Sequence, residues 1–455
     1  MIDVINPATE ELITSLLPDN EDELSRKFSL AQDAQKEWAS TSLKERKAVI
    51  ARFDKVLSKH KQDCARTLTK EMGKPITQAL HEVEGTSTRI SFFLEHMEKT
   101  LQDETVLKSA SMVEKITYEP LGVIANISAW NYPYFVGSNV FIPALLTGNA
   151  VLYKPSEFAS LTGGKIAQLF EEAGLPVGLF QVVIGGGNTG SMLLEKPLNG
   201  VFFTGSVGTG RKISAAVASR FIRVGLELGG KDPAYVCDDV DVGTVAENLV
   251  DGAFYNAGQS CCSVERIYIH EKVFNNFTEA FCEKTKKLVV GDPLREETYI
   301  GPLARKTQIN FLNDQVADAQ GKGALILVTG GAKEGKGWYY RPVVLGNVDH
   351  SMKVMREESF GPIIGLMRVK NDSEAVKLMQ DTTYGLTASV YTKDGDRASE
   401  ILGDMNTGTV YWNCCDRVSP ALPWTGRRDS GLGSTLSKIG ILSFVQPKAW
   451  HMRKT

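Results

Sequence analysis

Apolar and small residues recur at helical spacing over 21–38, and again over 43–68 with charges opposite, which predicts two amphipathic helices. Residues 76–94, just after Pro75, predict a third, interrupted helix. Over 112–118 the period changes, with Val113, Ile116 and Tyr118 set among charged residues as in an exposed strand or hairpin arm. Short β-rich runs follow at 122–127, 150–153, 180–184 and 200–204, with a helical pattern at 161–173 between them. Such alternation predicts crossover units and a mostly parallel, doubly wound sheet, with ligands beyond the carboxyl ends of its strands. A second α/β region starts near residue 230, with helices expected at 242–255 and 273–289 and strands at 266–269, 325–328, 340–344 and 365–369. The tail, 438–450, alternates again.

A chain of 455 residues is long enough for two or three domains. Hydrophobic residues make up 42% and charged residues 23%, and the net charge is −3. Neither sign dominates, so no nucleic-acid or anionic-membrane partner is expected, and no apolar run is long enough to span a bilayer. The first residues lack the basic and apolar regions of a signal peptide, which predicts a cytoplasmic protein. Seven cysteines, none in a C-x-x-C pair, and six dispersed histidines argue against a disulfide framework and against a metal site.

Candidate chemistry clusters at strand ends and glycine turns. Cys261 directly follows the turn carrying Gly258, where a thiol can be exposed yet held rigidly, although free cysteines are more often buried and inert. Upstream, Glu227 stands on the last turn of an apolar segment before Gly229-Gly230. Gly185, Gly187 and Gly190 satisfy G-x-G-x-x-G, a weak motif that a plain strand-to-helix turn also explains. The cluster from Phe203 to Gly210, with Gly205 and Ser206 at a helix start, is the better anion cradle. Lys154 and Glu157 end a strand, where they could hold sugar hydroxyls or form a surface ion pair. Asn131 could donate to a developing oxyanion or form an Asx-turn before Pro133.

Six landmarks in order resemble the aldehyde dehydrogenase superfamily along the whole chain. They are Trp130-Asn131-Tyr132-Pro133, Lys154-Pro155-Ser156-Glu157, Phe203-Thr204-Gly205-Ser206, Glu227-Leu228-Gly229-Gly230-Lys231, Gly258-Gln259-Ser260-Cys261 and Glu358-Ser359-Phe360-Gly361-Pro362. The 34-residue separation of Glu227 and Cys261 also matches the family. The resemblance implies that Cys261 is the nucleophile, that Asn131 and the Cys261 backbone hold the oxyanion, and that Glu227 is the general base. It implies a cofactor site of Trp130, Lys154, Glu157, Gly205, Ser206, Glu358 and Phe360, with the Glu157 carboxylate favouring NAD over NADP. By the same analogy Tyr132, Phe135, Val136, Ser260, Cys262, Asp416 and Arg417 line the aldehyde entrance, where aromatic walls suit an apolar substrate and Arg417 could pair with a carboxylate.

The implied architecture is a Rossmann-like dinucleotide-binding domain (1–101 and 121–229), a second α/β catalytic domain (230–430) and a small β oligomerisation arm (102–120 and 431–455). The arm predicts a homodimer or homotetramer. The segment from Pro423 to Gly431 departs from the family's usual Pro-Phe-Gly-Gly-x-Lys-x-Ser-Gly, and an opening hairpin found in many relatives is expected to be missing. The expected function is NAD(P)-dependent oxidation of an aldehyde to its acid. The alternatives are succinate-semialdehyde-type specificity, a coenzyme-A-acylating relative, a catalytically silent NAD-binding relative, and a thiol redox sensor built on Cys261-Cys262.

Overall fold

The computed structural model describes residues 1–453. Side-chain caps start several of its helices. Asn20 accepts from the Glu23 N–H at the head of Glu21–Ser40, and Ser42 and Glu45 form a capping box on Leu43–Lys59. The expected helix over 43–68 breaks at His60 into Leu43–Lys59 and Lys61–Met72, because His60 leaves helical geometry. Ile76–Thr100 runs uninterrupted, whereas an interruption was expected. An opening hairpin is present, Ile2–Asn6 paired with Glu11–Leu16, where none was expected. Only Val4 of its residues is buried, so the pair leaves no alternating pattern to read.

Five parallel strands form the first sheet, in the order Arg223–Glu227, Gly200–Thr204, Val123–Ile127, Ala150–Lys154, Phe180–Val182. The chain order reverses between Val123–Ile127 and Gly200–Thr204, and the carboxyl ends beside that switch point are where a dinucleotide binds in such sheets. The segment ending at Glu227 is thus a strand rather than a turn. Gly431–Leu432 pairs antiparallel with it, so the unusual 423–431 segment adds an edge beside Glu227.

The second sheet has seven strands: Leu325–Val328, Val343–Gly346, Ile363–Val369, Val264–His270, Asp232–Val236, Thr387–Tyr391 and Thr409–Trp412. All pairs are parallel except the first. The strand expected at 340–344 is two pieces, Tyr340–Arg341 and Val343–Gly346, divided by Pro342, which has no N–H to give a ladder. A separate core cluster lies behind each large sheet. Val445–Arg453, Met112–Pro120 and Glu104–Lys108 form a three-stranded antiparallel arm. The alternating tail begins as a short helix, Ser437–Leu442, before that strand.

Candidate active site

The carboxyl ends of the first sheet open into a cleft of about 1300 Å³. Trp130, Asn131, Lys154, Glu157, Gly205, Ser206, Glu227, Cys261, Glu358 and Phe360 all line it. Ser206 caps the helix Val207–Val217 by accepting from the Thr209 N–H at 3.3 Å, which leaves that helix start facing the cleft. Gly186, Gly187 and Gly190 of the other glycine turn line the same cleft, so both clusters meet there. Lys154 is buried, which lowers its pKa against the opposing pull of Glu157.

Cys261 sits between the helix Val242–Phe254 and the strand Val264–His270, after a turn in which Asn256, Ala257 and Gly258 all take positive φ (52°, 56° and 68°). Only at Gly258 is glycine demanded by space as well, since a Cβ there would lie 2.6 Å from the Gly361 carbonyl oxygen. A hydrogen-bond mesh holds this costly backbone. The Asn256 N–H donates to Gln78 Oε1 at 3.0 Å, Asn256 Nδ2 to the Gln259 carbonyl at 3.1 Å, and the Ala304 N–H to Gln259 Oε1 at 3.0 Å. The Asn131 amide donates to the Gln259 carbonyl at 3.0 Å, which orients it and leaves its second N–H for the cleft. The Cys261 N–H donates to no other group among the described residues.

Glu227 accepts a hydrogen bond from Thr435 Oγ1. Burial pushes its carboxyl up to about 7, opposed by that bond and by the charge of Arg89. The Cys262 thiol is pushed well above its ordinary range by its hydrogen bond with Cys261, by burial and by the Asp416 carboxylate. Cys262 therefore stays protonated beside Cys261, donating to Asp416 Oδ1 at 2.8 Å, while Ser260 Oγ donates to the same oxygen at 3.3 Å.

Glu358 accepts from the Gly230 N–H at 3.1 Å, and burial lifts its carboxyl to about 8. Its loop is anchored from below: Glu265 accepts from Lys231 Nζ at 2.7 Å and from the backbone N–H groups of Ser359 and Phe360 at 2.8 and 2.9 Å. Phe360, at φ 49°, meets Trp130 edge-on with ring centroids 5.5 Å apart. Tyr132 and Phe135 stack with centroids 6.1 Å apart, with Lys74 Nζ over the first ring and the Arg89 guanidinium over the second. Val136 is half-buried one residue beyond Phe135, and Arg417 is exposed.

The sequence model of the aldehyde dehydrogenase family matches residues 1–450. The chain belongs to that family. An aldehyde dehydrogenase of Paenarthrobacter nicotinovorans is 33% identical over 451 residues, covering 98% of each chain. The crystal structure of an Escherichia coli NADP-dependent enzyme superposes with a TM-score of 0.97 at 31% identity, over 100% of this chain and 95% of that one. Betaine aldehyde dehydrogenase of Staphylococcus aureus, solved with NAD+, superposes with a TM-score of 0.95 at 28% identity, over 99% of this chain and 91% of that one.

The residues of this aldehyde dehydrogenase suit a dinucleotide. Cβ atoms added at Gly186 or Gly187 would meet only open space, and Arg305 Nε is buried in the cleft wall with no partner. Arg305 lies 5.5 Å from the Trp130 ring centroid and within electrostatic reach of Glu157 and Glu358, between the expected ends of the cofactor. Sequence reasoning missed Arg305, Thr435, Arg89 and the buried Lys74–Glu82 pair, because no local motif surrounds them. Lys231 was seen only as part of the Glu227 motif. Among the described residues no helix is long and apolar enough to cross a membrane, and no cluster of His, Cys, Asp or Glu is arranged to hold a metal.

Proposed function

We propose that the enzyme oxidises its aldehyde to the carboxylic acid with NAD in preference to NADP, through a covalent intermediate on Cys261 that water hydrolyses. The observation that carries this reading is that Cys261, Asn131 and Glu227 line one cleft together with Glu358 and Phe360. The Cys261 thiolate attacks the aldehyde carbon, forming a C–S bond and leaving negative charge on the former carbonyl oxygen. The free Asn131 amide N–H and the Cys261 backbone N–H donate to that oxygen. Trp130, Lys154, Glu157, Gly205, Ser206, Glu358 and Phe360 would hold the cofactor, which when bound would supply the acceptor for the hydride that the adduct carbon loses in becoming a thioester on Cys261. Glu227 then takes a proton from water as water attacks the thioester carbon, the C–S bond breaks, and the acid leaves.

A carboxyl that titrates near neutral pH suits that last step, since a base is most useful when its pKa lies near the working pH. A coenzyme-A acceptor would need no such base, which disfavours the acylating alternative. The half-buried Glu157 carboxylate would repel a 2′-phosphate. In this reading 1–101 and 121–229 form the cofactor domain and 230–430 the catalytic domain; of the expected arm, 102–120 with 431–455, Gly431–Leu432 joins the cofactor sheet and Val445–Arg453 supplies the arm strand. The arm's edge strand Glu104–Lys108 is exposed along its length, which supports assembly as a homodimer or homotetramer, and the enzyme works in the cytoplasm. The test is NADH formation from aliphatic, aromatic and carboxylated aldehydes with NAD or NADP, with and without coenzyme A. Turnover with NAD alone that disappears in Cys261→Ala is the expected result, and turnover that requires coenzyme A overturns the hydrolytic reading.

A further inference from the structure

The helix Ile76–Thr100 carries Arg89 into the protein beside the nucleophile. Arg89 is only 6% exposed, and its guanidinium carbon lies 3.8 Å from the centroid of the Phe135 ring. Gly85, one turn earlier, makes room for that ring, because a Cβ there would meet it at 2.7 Å. A guanidinium carries five N–H donors, and buried charges are ordinarily paired. Arg89 nevertheless forms no salt bridge and donates no side-chain hydrogen bond among the described residues, although Arg46, Arg220, Arg266 and Arg397 all do donate.

The anions around it are otherwise engaged. Glu82 is held by Lys74 and by the Tyr134 N–H at 2.8 Å, and Glu227 accepts from Thr435 Oγ1. Glu227 and Cys261 lie within electrostatic reach of the guanidinium, yet Arg89 does not line the cofactor cleft. Its fork lies instead on the ring of Phe135, one of the residues expected at the aldehyde entrance. Burial lowers its pKa to about 10, which leaves it charged at neutral pH.

We propose that Arg89 is the specificity-determining residue of the aldehyde pocket, receiving a carboxylate at the far end of a short aldehyde. This rests on the aldehyde-oxidation reading above and names its substrate class as ω-carboxylated aldehydes. A planar fork pairs with a carboxylate through two parallel hydrogen bonds, and the Phe135 ring beneath it fixes its plane. The role moves from Arg417, whose exposure leaves it to solvent, to a cation that is almost wholly buried.

The test compares kcat/KM for 4-oxobutanoate and butanal in the wild-type enzyme and in Arg89→Leu and Arg89→Lys. The wild type is expected to favour 4-oxobutanoate by about 100-fold. In Arg89→Leu that ratio collapses towards one, chiefly through KM for 4-oxobutanoate, and Arg89→Lys restores part of it. Equal use of both aldehydes by the wild type overturns the proposal while leaving aldehyde oxidation standing, and so does an equal loss on both substrates in Arg89→Leu. No turnover of any aldehyde by the wild type overturns both readings. Should Arg89→Leu fail to fold, inhibition of wild-type butanal turnover decides: succinate competes and succinamide does not, and equal inhibition by the two refutes the role.

Discussion

Replacing Glu227 with glutamine keeps the side chain's shape and its acceptor for Thr435 while removing its charge. Burial lifts the Glu227 carboxyl from 4.5 to about 7, so ionising it in the folded protein is harder than in the unfolded chain. At 1.36 kcal/mol per pH unit, that interval amounts to about 3 kcal/mol. Because the folded pKa lies above the unfolded one, the stability linked to Glu227 is full below about pH 4.5 and is lost as pH rises through about 7. Glu227→Gln escapes that loss. Its Tm advantage over the wild type should therefore widen between pH 5 and pH 8, by about 2–3 °C for a chain of this size. Scanning calorimetry at both pH values measures it, and every other carboxylate cancels in the comparison. In rapid-mixing kinetics the same variant should give a burst of NADH of about one per site and then stall, with steady-state turnover down by about 10²–10⁴. A Tm gap that does not change with pH refutes the burial argument, and undiminished steady turnover refutes the assignment of the base.

Two more outcomes follow from the same geometry. Asn131→Ala removes an oxyanion donor while the Gln259 carbonyl keeps its bond from Asn256, so the loss should fall on kcat, by about 10²–10³, with little change in Tm. Glu157→Gln removes the charge that would oppose a 2′-phosphate, so the ratio of kcat/KM for NAD to that for NADP should fall by about tenfold. An unchanged ratio would show that the preference is set elsewhere in the cleft.

Local signals settled much of the chain. Helical periodicity belongs to a few adjacent residues, so Glu21–Ser40 and the start of Leu43–Lys59 could be read directly, while the equally local caps at Asn20 and Ser42 went unread. The strand-end residues Lys154, Glu157, Gly205 and Ser206 were legible for a similar reason: a parallel sheet puts its ligand beyond the carboxyl ends of its strands, and their motifs are contiguous. Tertiary structure decided the rest. Glu227 ends a strand because Gly200–Thr204 and Gly431–Leu432 flank it, and the second of these comes some two hundred residues later in the chain. Thr435 and Arg89 reach Glu227 only in the folded chain, and nothing beside them in sequence distinguishes them from surface residues. Sequence determines which chemical groups are available and how each short segment prefers to fold. Burial and the approach of distant segments set their charge states, because desolvation and unmet hydrogen bonds exist only once the chain has closed around them.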